Sequence, residues 1–269
     1  VLQQALKALT VHHDMLRAVV KDDHLFVRPA DTRIMLAEHP LTDGETIDAA
    51  CDTVIAQMDM ATALFAPTLI HTSTDHLLFL AAHHAIVDGV SWRVLMEDLE
   101  TACQQLSSGK PVTLPAKTNS YSDYVDALYS YRDSDALRQE TSYWERQQKL
   151  LLSMPTSDGK NLNRHFVRTT VAMTAADTKA FATARLAPFN ADVNDLLLTA
   201  VGRSYCRMTG ATALSVNLEG HGREPMDTPL YIDRTVGWFT SVYPVVIESL
   251  TGDARHDLRT VKETLHRIS

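Results

Sequence analysis

The sequence predicts an α/β chain folded as two lobes. Short apolar runs of strand length alternate with longer segments whose apolar residues recur every three to four positions. The composition shifts once, at Met154-Pro-Thr-Ser-Asp-Gly-Lys-Asn161, a polar stretch with the turn residues of a linker. Over 269 residues, 45% are hydrophobic, enough for a sizeable core on each side of that linker. The expected organisation is an N-terminal lobe at 1–153, a linker at 154–161 and a C-terminal lobe at 162–269.

Each element has a local reason. Leu2, Ala5, Leu6 and Leu9 have helical spacing, with a break near Thr10-Val11. Segments 17–21 and 24–28 flank Asp22-Asp23 as a short hairpin. Residues 46–59 read as a helix, and 69–71 and 76–82 as strands around a polar turn. The apolar set Val94, Leu95, Leu99, Ala102, Cys103 and Leu106 marks a helix that Gly109 stops. A Pro/Lys/Thr/Asn loop leads to Ser120, and 121–150 are helical with an interruption near Asp133-Ser134. After the linker, 165–173 alternate like a strand, and Thr174-Ala-Ala-Asp177 has the pattern of a capping box opening a helix at 175–186. Residues 193–208 form a further helix, and 213–218 and 242–248 further strands.

Bulk properties narrow the function. The net charge is −8 with no basic tract, which argues against a nucleic-acid partner. No apolar run approaches the roughly 20 residues that span a bilayer. Val1-Leu-Gln-Gln reads as helix rather than signal peptide. Cys51, Cys103 and Cys206 are widely spaced without a C-x-x-C, which fits reduced cytoplasmic thiols rather than disulfides or a metal site. No phosphate-loop, dinucleotide-binding or G-x-S-x-G pattern occurs, so no directly bound cofactor is expected.

The chemistry concentrates after the run 77–82. His83-His84-Ala-Ile-Val-Asp88-Gly89-Val-Ser91-Trp sits where a core strand ends and a helix begins. Imidazole titrates near neutrality and can both take and return a proton. A helix N-terminus beside it offers unpaired N–H groups and partial positive charge. His84 is the expected proton-handling residue, and strand alternation turns His83 inward as a structural group. Ser91 is the expected N-cap, with substrate contact the alternative, and Gly89 leaves room for close backbone approach. Glu219 follows the strand 213–218, and Gly220 and Gly222 keep its loop thin. A carboxylate and an imidazole across a cleft would form an acid/base pair. His12-His13-Asp14 is a second double histidine, read as scaffold because no Asp-Gly follows it.

Four strings carry a resemblance. His83-His84-x-x-x-Asp88-Gly89 resembles the H-H-x-x-x-D-G motif of the condensation-domain superfamily of nonribosomal peptide synthetases. Asp192-Val-Asn-Asp-Leu-Leu-Leu-Thr-Ala-Val-Gly202, Glu219-Gly-His-Gly-Arg-Glu224 and Arg234-Thr-Val-Gly-Trp-Phe-Thr-Ser-Val-Tyr-Pro244 resemble motifs of its epimerization domains. The resemblance implies two lobes similar to chloramphenicol acetyltransferase with an active site in the cleft between them. It also implies that the family's first motif precedes Val1 and its last ones follow Ser269, so both lobes are incomplete. The implied activity is cofactor-independent epimerization, L to D, of an aminoacyl or peptidyl thioester carried on the phosphopantetheine of a carrier domain in secondary-metabolite biosynthesis. The implied partners are that carrier and neighbouring synthetase domains.

On this reading His84 and Glu219 are catalytic, with one or two bases left open. Asp88 reads as a second base or a brace; in the family it corresponds to a structural carboxylate, with Arg17 its candidate partner here. Gly220, His221, Arg223 and Trp238 are candidates for substrate binding. Loop-shaping hydrogen bonds are the alternative for His221 and Arg223, and core or cleft lining for Trp238 and Phe239. Tyr243 could polarise the substrate or serve as a wall, and Glu224 is the alternative carboxylate. A condensation-type acyltransferase that forms a peptide bond, or an inactive carrier-docking module, are the other readings.

Overall fold

The computed structural model describes residues 1–152, 162, 167–183, 190–226 and 229–268. Its packing divides the chain into two units, Val1–Arg138 with Gly220–Ser241, and Gln139–Glu219 with Val242–Ser269. The sequence places a junction at 154–161, which lies outside the described residues. The packing instead groups 139–152 with the second unit and returns 220–241 to the first.

In the first unit, α1 (Leu2–His12) buries Ala5, Leu6 and Leu9, the stripe its spacing prescribes. It runs through the expected break, because Thr10 returns its hydroxyl to the Lys7 carbonyl and stays helical. After a 3₁₀ turn at Asp14–Arg17, β1 (Ala18–Lys21) and β2 (His24–Val27) form the expected hairpin. Asp22 and Asp23 both have positive φ, at 49° and 61°, as a two-residue hairpin turn matched to strand twist requires. The strand β3 (Ala37–Pro40), not foreseen, lies parallel to β4 (Phe65–His71), which pairs antiparallel with β5 (His76–Ala82). The helix α2 (Ile47–Ala56) is shorter than its pattern and is capped by Thr46.

The helix α3 (Gly89–Ser107) places Val94, Leu95, Leu99 and Ala102 against α1. Val236, from the returning segment, joins this core. The helix α4 (Tyr121–Arg132) opens with a capping box between Ser120 and Asp123. Tyr124 packs with Ile232 and Phe239 in a smaller cluster.

In the second unit, α5 (Asp135–Leu150) carries most of its length, followed by α6 (Ala175–Thr183) and α7 (Val193–Thr209). At α6 the Thr174 hydroxyl accepts from the Asp177 N–H and donates to its carboxylate. The expected strand at 165–173 is irregular and exposed over 167–173. Alternation makes a strand only when a neighbour takes the backbone hydrogen bonds, and none does so among the described residues. The strands β6 (Leu214–Gly220) and β7 (Ser241–Ile247) pair. Leu214, Val245 and Ile247 pack there with Val261 of α8 (Ala254–Leu265), a helix the sequence reading missed. Among the described residues, no helix is long and apolar enough to cross a membrane.

His13, at the end of α1, is buried and bonds Asp98 of α3 at 2.9 Å through Nε2. Arg234 takes the other oxygen of Asp98 at 2.6 Å. His12, His13 and Asp98 lie close enough to suggest a cation site. A guanidinium and an imidazole hold both oxygens of the Asp98 carboxylate. Burial above all, with His12 and Arg234 adding to it against the pull of Asp98, lowers the His13 pKa from 6.5 to about 4. The folded state therefore binds fewer protons than the unfolded one in this window, and stability present above pH 6.5 is lost as pH falls toward 4. Urea unfolding at pH 7 and pH 4.5 should show a smaller acid loss in His13→Gln than in the wild type. Equal losses would mean that His13 does not carry this dependence.

Candidate active site

The double-histidine segment closes β5 and opens α3 in the first unit. Asp88, not Ser91, is the N-cap: its Oδ1 accepts from the Ser91 N–H at 2.7 Å. Ser91 is the third residue of the helix, where its N–H is one of the donors that a cap satisfies. Its hydroxyl instead faces the returning segment. It donates to the Gly237 carbonyl at 2.9 Å and accepts from the Gly237 N–H at 3.1 Å.

Asp88 is the hub of this region. Its partner is Arg223, at 2.8 Å to Oδ2 and 3.3 Å to Oδ1, and the Phe239 N–H adds a bond at 3.2 Å. Arg17, the partner expected from sequence, is engaged elsewhere. It bonds Asp14 and the carbonyls of Thr10, Val11 and Arg28, closing the turn after α1. Arg223 also donates to Ser91 Oγ and to the Thr235 carbonyl, and its guanidinium lies 3.9 Å from the Phe239 ring centroid. Burial pulls the Arg223 pKa down and the Asp88 carboxylate opposes it. The pair is nearly solvent-free, which makes it a strong positional constraint.

Arg223 is thus a brace in the first unit, the loop-shaping role held open for it. Residues 231–238 are held from the other side as well. Asn119 exchanges bonds with Tyr231, and Thr118 and Asn119 bond the Thr235 hydroxyl. The Tyr121 hydroxyl donates to the Trp238 carbonyl at 2.8 Å. The sequence reading gave Thr118, Asn119 and Tyr121 no role, because nothing local marks them. Their partners lie more than a hundred residues away.

Against this frame the histidines stand out. His83 is exposed, not inward, and its Nδ1 turns back to accept from the Ala85 N–H. His84 is exposed too, its ring edge-to-face with Trp238 at 5.9 Å between centroids. Among the described residues its side chain has no hydrogen-bond or ion-pair partner in the first unit. Gly89 is exposed at the first turn of α3, and a Cβ there would meet nothing. An imidazole at a strand end, beside a helix start that the buried Asp88–Arg223 pair braces, can exchange a proton with a bound acid.

The remaining candidates are placed as follows. Glu219 is exposed near the end of β6 in the second unit, and Gly220 begins the stretch returned to the first. His221 Nδ1 accepts from the Arg223 N–H at 3.0 Å, a loop-shaping bond. Glu224 is exposed, 3.7 Å from His221. Tyr243 is half-buried in β7, its ring 6.0 Å from that of Trp144.

Comparison with known proteins places this arrangement. The condensation-domain family model matches residues 1–269. A plipastatin synthase subunit from Bacillus subtilis (strain 168) is 35% identical over 99% of the chain and 11% of its own length. Tyrocidine synthase 2 of Brevibacillus parabrevis is 32% identical over 99% of the chain and 8% of its own length. The chain therefore spans a small part of these curated relatives. Among solved structures, the epimerization domain from the third module of tyrocidine synthetase B matches with a TM-score of 0.90 at 32% identity, over 99% of this chain and 63% of that one. The first condensation domain of the calcium-dependent antibiotic synthetase, in complex with a substrate analogue, matches at 0.73 and 17% identity, over 98% and 64%, a likeness of fold alone. The strand-end histidine pair, its braced aspartate and the surrounding α/β frame belong together: this chain is a member of the condensation-domain family.

Proposed function

We propose that the chain takes part in epimerization at the Cα of an aminoacyl or peptidyl thioester held on the phosphopantetheine of a carrier domain. His84 and Glu219 are assigned as the proton-handling pair. A thioester stabilises the α-carbanion better than an amide does, so a positioned acid and base suffice. One group removes the Cα proton, the charge moves onto the thioester oxygen, and a proton returns to the opposite face. The first N–H groups of α3, beside Gly89, are the donors assigned to that oxygen.

The observation that carries this reading is His84 itself, exposed at the end of β5 beside the start of α3, which the Asp88–Arg223 bond braces within the first unit. The closer likeness to an epimerization domain than to a condensation domain supports the same reading. So do the intact Glu219–Glu224 and Arg234–Pro244 strings. The carrier domain and the neighbouring synthetase domains are the partners that this chemistry requires.

Glu219→Gln tests it. Epimerization of a carrier-bound L-aminoacyl thioester, followed as D-isomer in the released amino acid, should fall by about 100- to 10,000-fold. Undiminished turnover, with dipeptide forming once an acceptor is supplied, would move the assignment to peptide-bond formation.

A further inference from the structure

We infer that Trp238 is a positioning residue for His84, holding the imidazole in the orientation from which it exchanges protons. The inference rests on the catalytic assignment of His84 above, and deepens it. Histidines in proteins are commonly oriented by a hydrogen bond to one ring nitrogen, which also fixes the tautomer. Several here follow that rule. His13 is held by Asp98, His39 by Glu45, His83 by the Ala85 N–H, and His221 accepts from the Arg223 N–H. His84 does not follow it. Its ring contact in the first unit is the indole of Trp238, edge-to-face at an interplanar angle of 71°. An apolar edge-to-face contact restrains a ring while leaving both nitrogens free. Free nitrogens are what a group that takes and returns a proton needs.

The backbone that carries the indole is held firmly. Gly237 gives both its N–H and its carbonyl to Ser91, and the Phe239 N–H bonds Asp88. The Trp238 carbonyl accepts from Tyr121. Phe239 is buried beneath Arg223, and a Cβ at Gly237 would lie 2.4 Å from the Tyr121 ring. With its neighbours locked inward on both sides, Trp238 turns outward and remains 45% exposed. Its side chain fills no core, so its rigid backbone serves the ring it touches. Asp88 thus acts on His84 twice, through the start of α3 and through the 237–239 backbone.

The test pairs kinetics with a probe of His84 that does not depend on turnover. In Trp238→Ala, kcat for Cα epimerization should fall at least tenfold with KM within about twofold, and Trp238→Phe should recover most of the loss. A misplacement of about 1 Å can cost on the order of 100-fold in rate. The His84 ring resonances, assigned by their loss in His84→Gln, should lose their indole ring-current shift in Trp238→Ala. A raised KM with unchanged kcat would make Trp238 a substrate wall and overturn the inference. Unmoved His84 resonances would overturn it as well. If His84→Ala leaves turnover intact, the catalytic reading fails, and the resonance shifts still report whether the contact exists.

Discussion

Replacing Asp88 with Ala should unfold the first unit at a temperature roughly 10 °C lower. The carboxylate accepts from the Ser91 and Phe239 N–H groups and from Arg223, and it is 2% exposed. Removing it strands the Arg223 guanidinium, whose Nε is already without a hydrogen-bond partner among the described residues. Breaking a buried pair from one side typically costs about 3–5 kcal/mol. For a unit of this size, each kcal/mol shifts the midpoint by about 2–4 °C. Asp88→Asn keeps the shape and one acceptor and should lose less. Thermal denaturation of the three proteins checks this. A variant of normal stability with abolished activity would show that Asp88 does chemistry rather than bracing.

Gly222→Ala should be the next most damaging substitution. Gly222 has φ +66°, and an added Cβ would fall 1.6 Å from the Phe239 carbonyl oxygen. The left-handed backbone alone costs an L-residue about 1–2 kcal/mol. The overlap is with backbone, so the Phe239 region, with its bond to Asp88 and its ring against Arg223, would have to shift. Gly109→Ala separates the two terms, because Gly109 has φ +69° with nothing within 4 Å of its Cβ position. Denaturation should show a clearly larger loss for Gly222→Ala. Equal losses would mean that the close approach to Phe239 carries no weight.

The division between what could and could not be read from sequence follows the range of the interactions. The hairpin at Asp22-Asp23, the strand β5 and the helix α7 are written in neighbouring residues, and all three form where expected. So is the position of His84 between a strand end and a helix start. The strand β3 carries no apolar alternation, because it lies largely exposed, and its pairing with β4 supplies what its sequence lacks. The helix α8 had readable signals, an Asp253 cap and the spacing of Leu258, Val261 and Leu265. The partner of Asp88 was not readable in the same sense. Arg17 belongs to the same N-terminal stretch as Asp88 and Arg223 to a distant motif, and only the fold shows that the pairing spans 135 positions. The N-cap was misplaced for a local reason. Gly89, a poor helix former, disguises the true start of α3, so the cap belongs one turn earlier than Ser91.

Deuterium entry at Cα tests the central claim most directly. The protein is incubated in D2O with a carrier domain whose phosphopantetheine bears an L-aminoacyl thioester. The amino acid is then released and examined for mass and chirality. Proton transfer at Cα predicts one deuterium gained and a mixture of L and D isomers, both lost in His84→Ala. Retention of the protium and the L configuration, with dipeptide appearing when an aminoacyl acceptor is added, would contradict it.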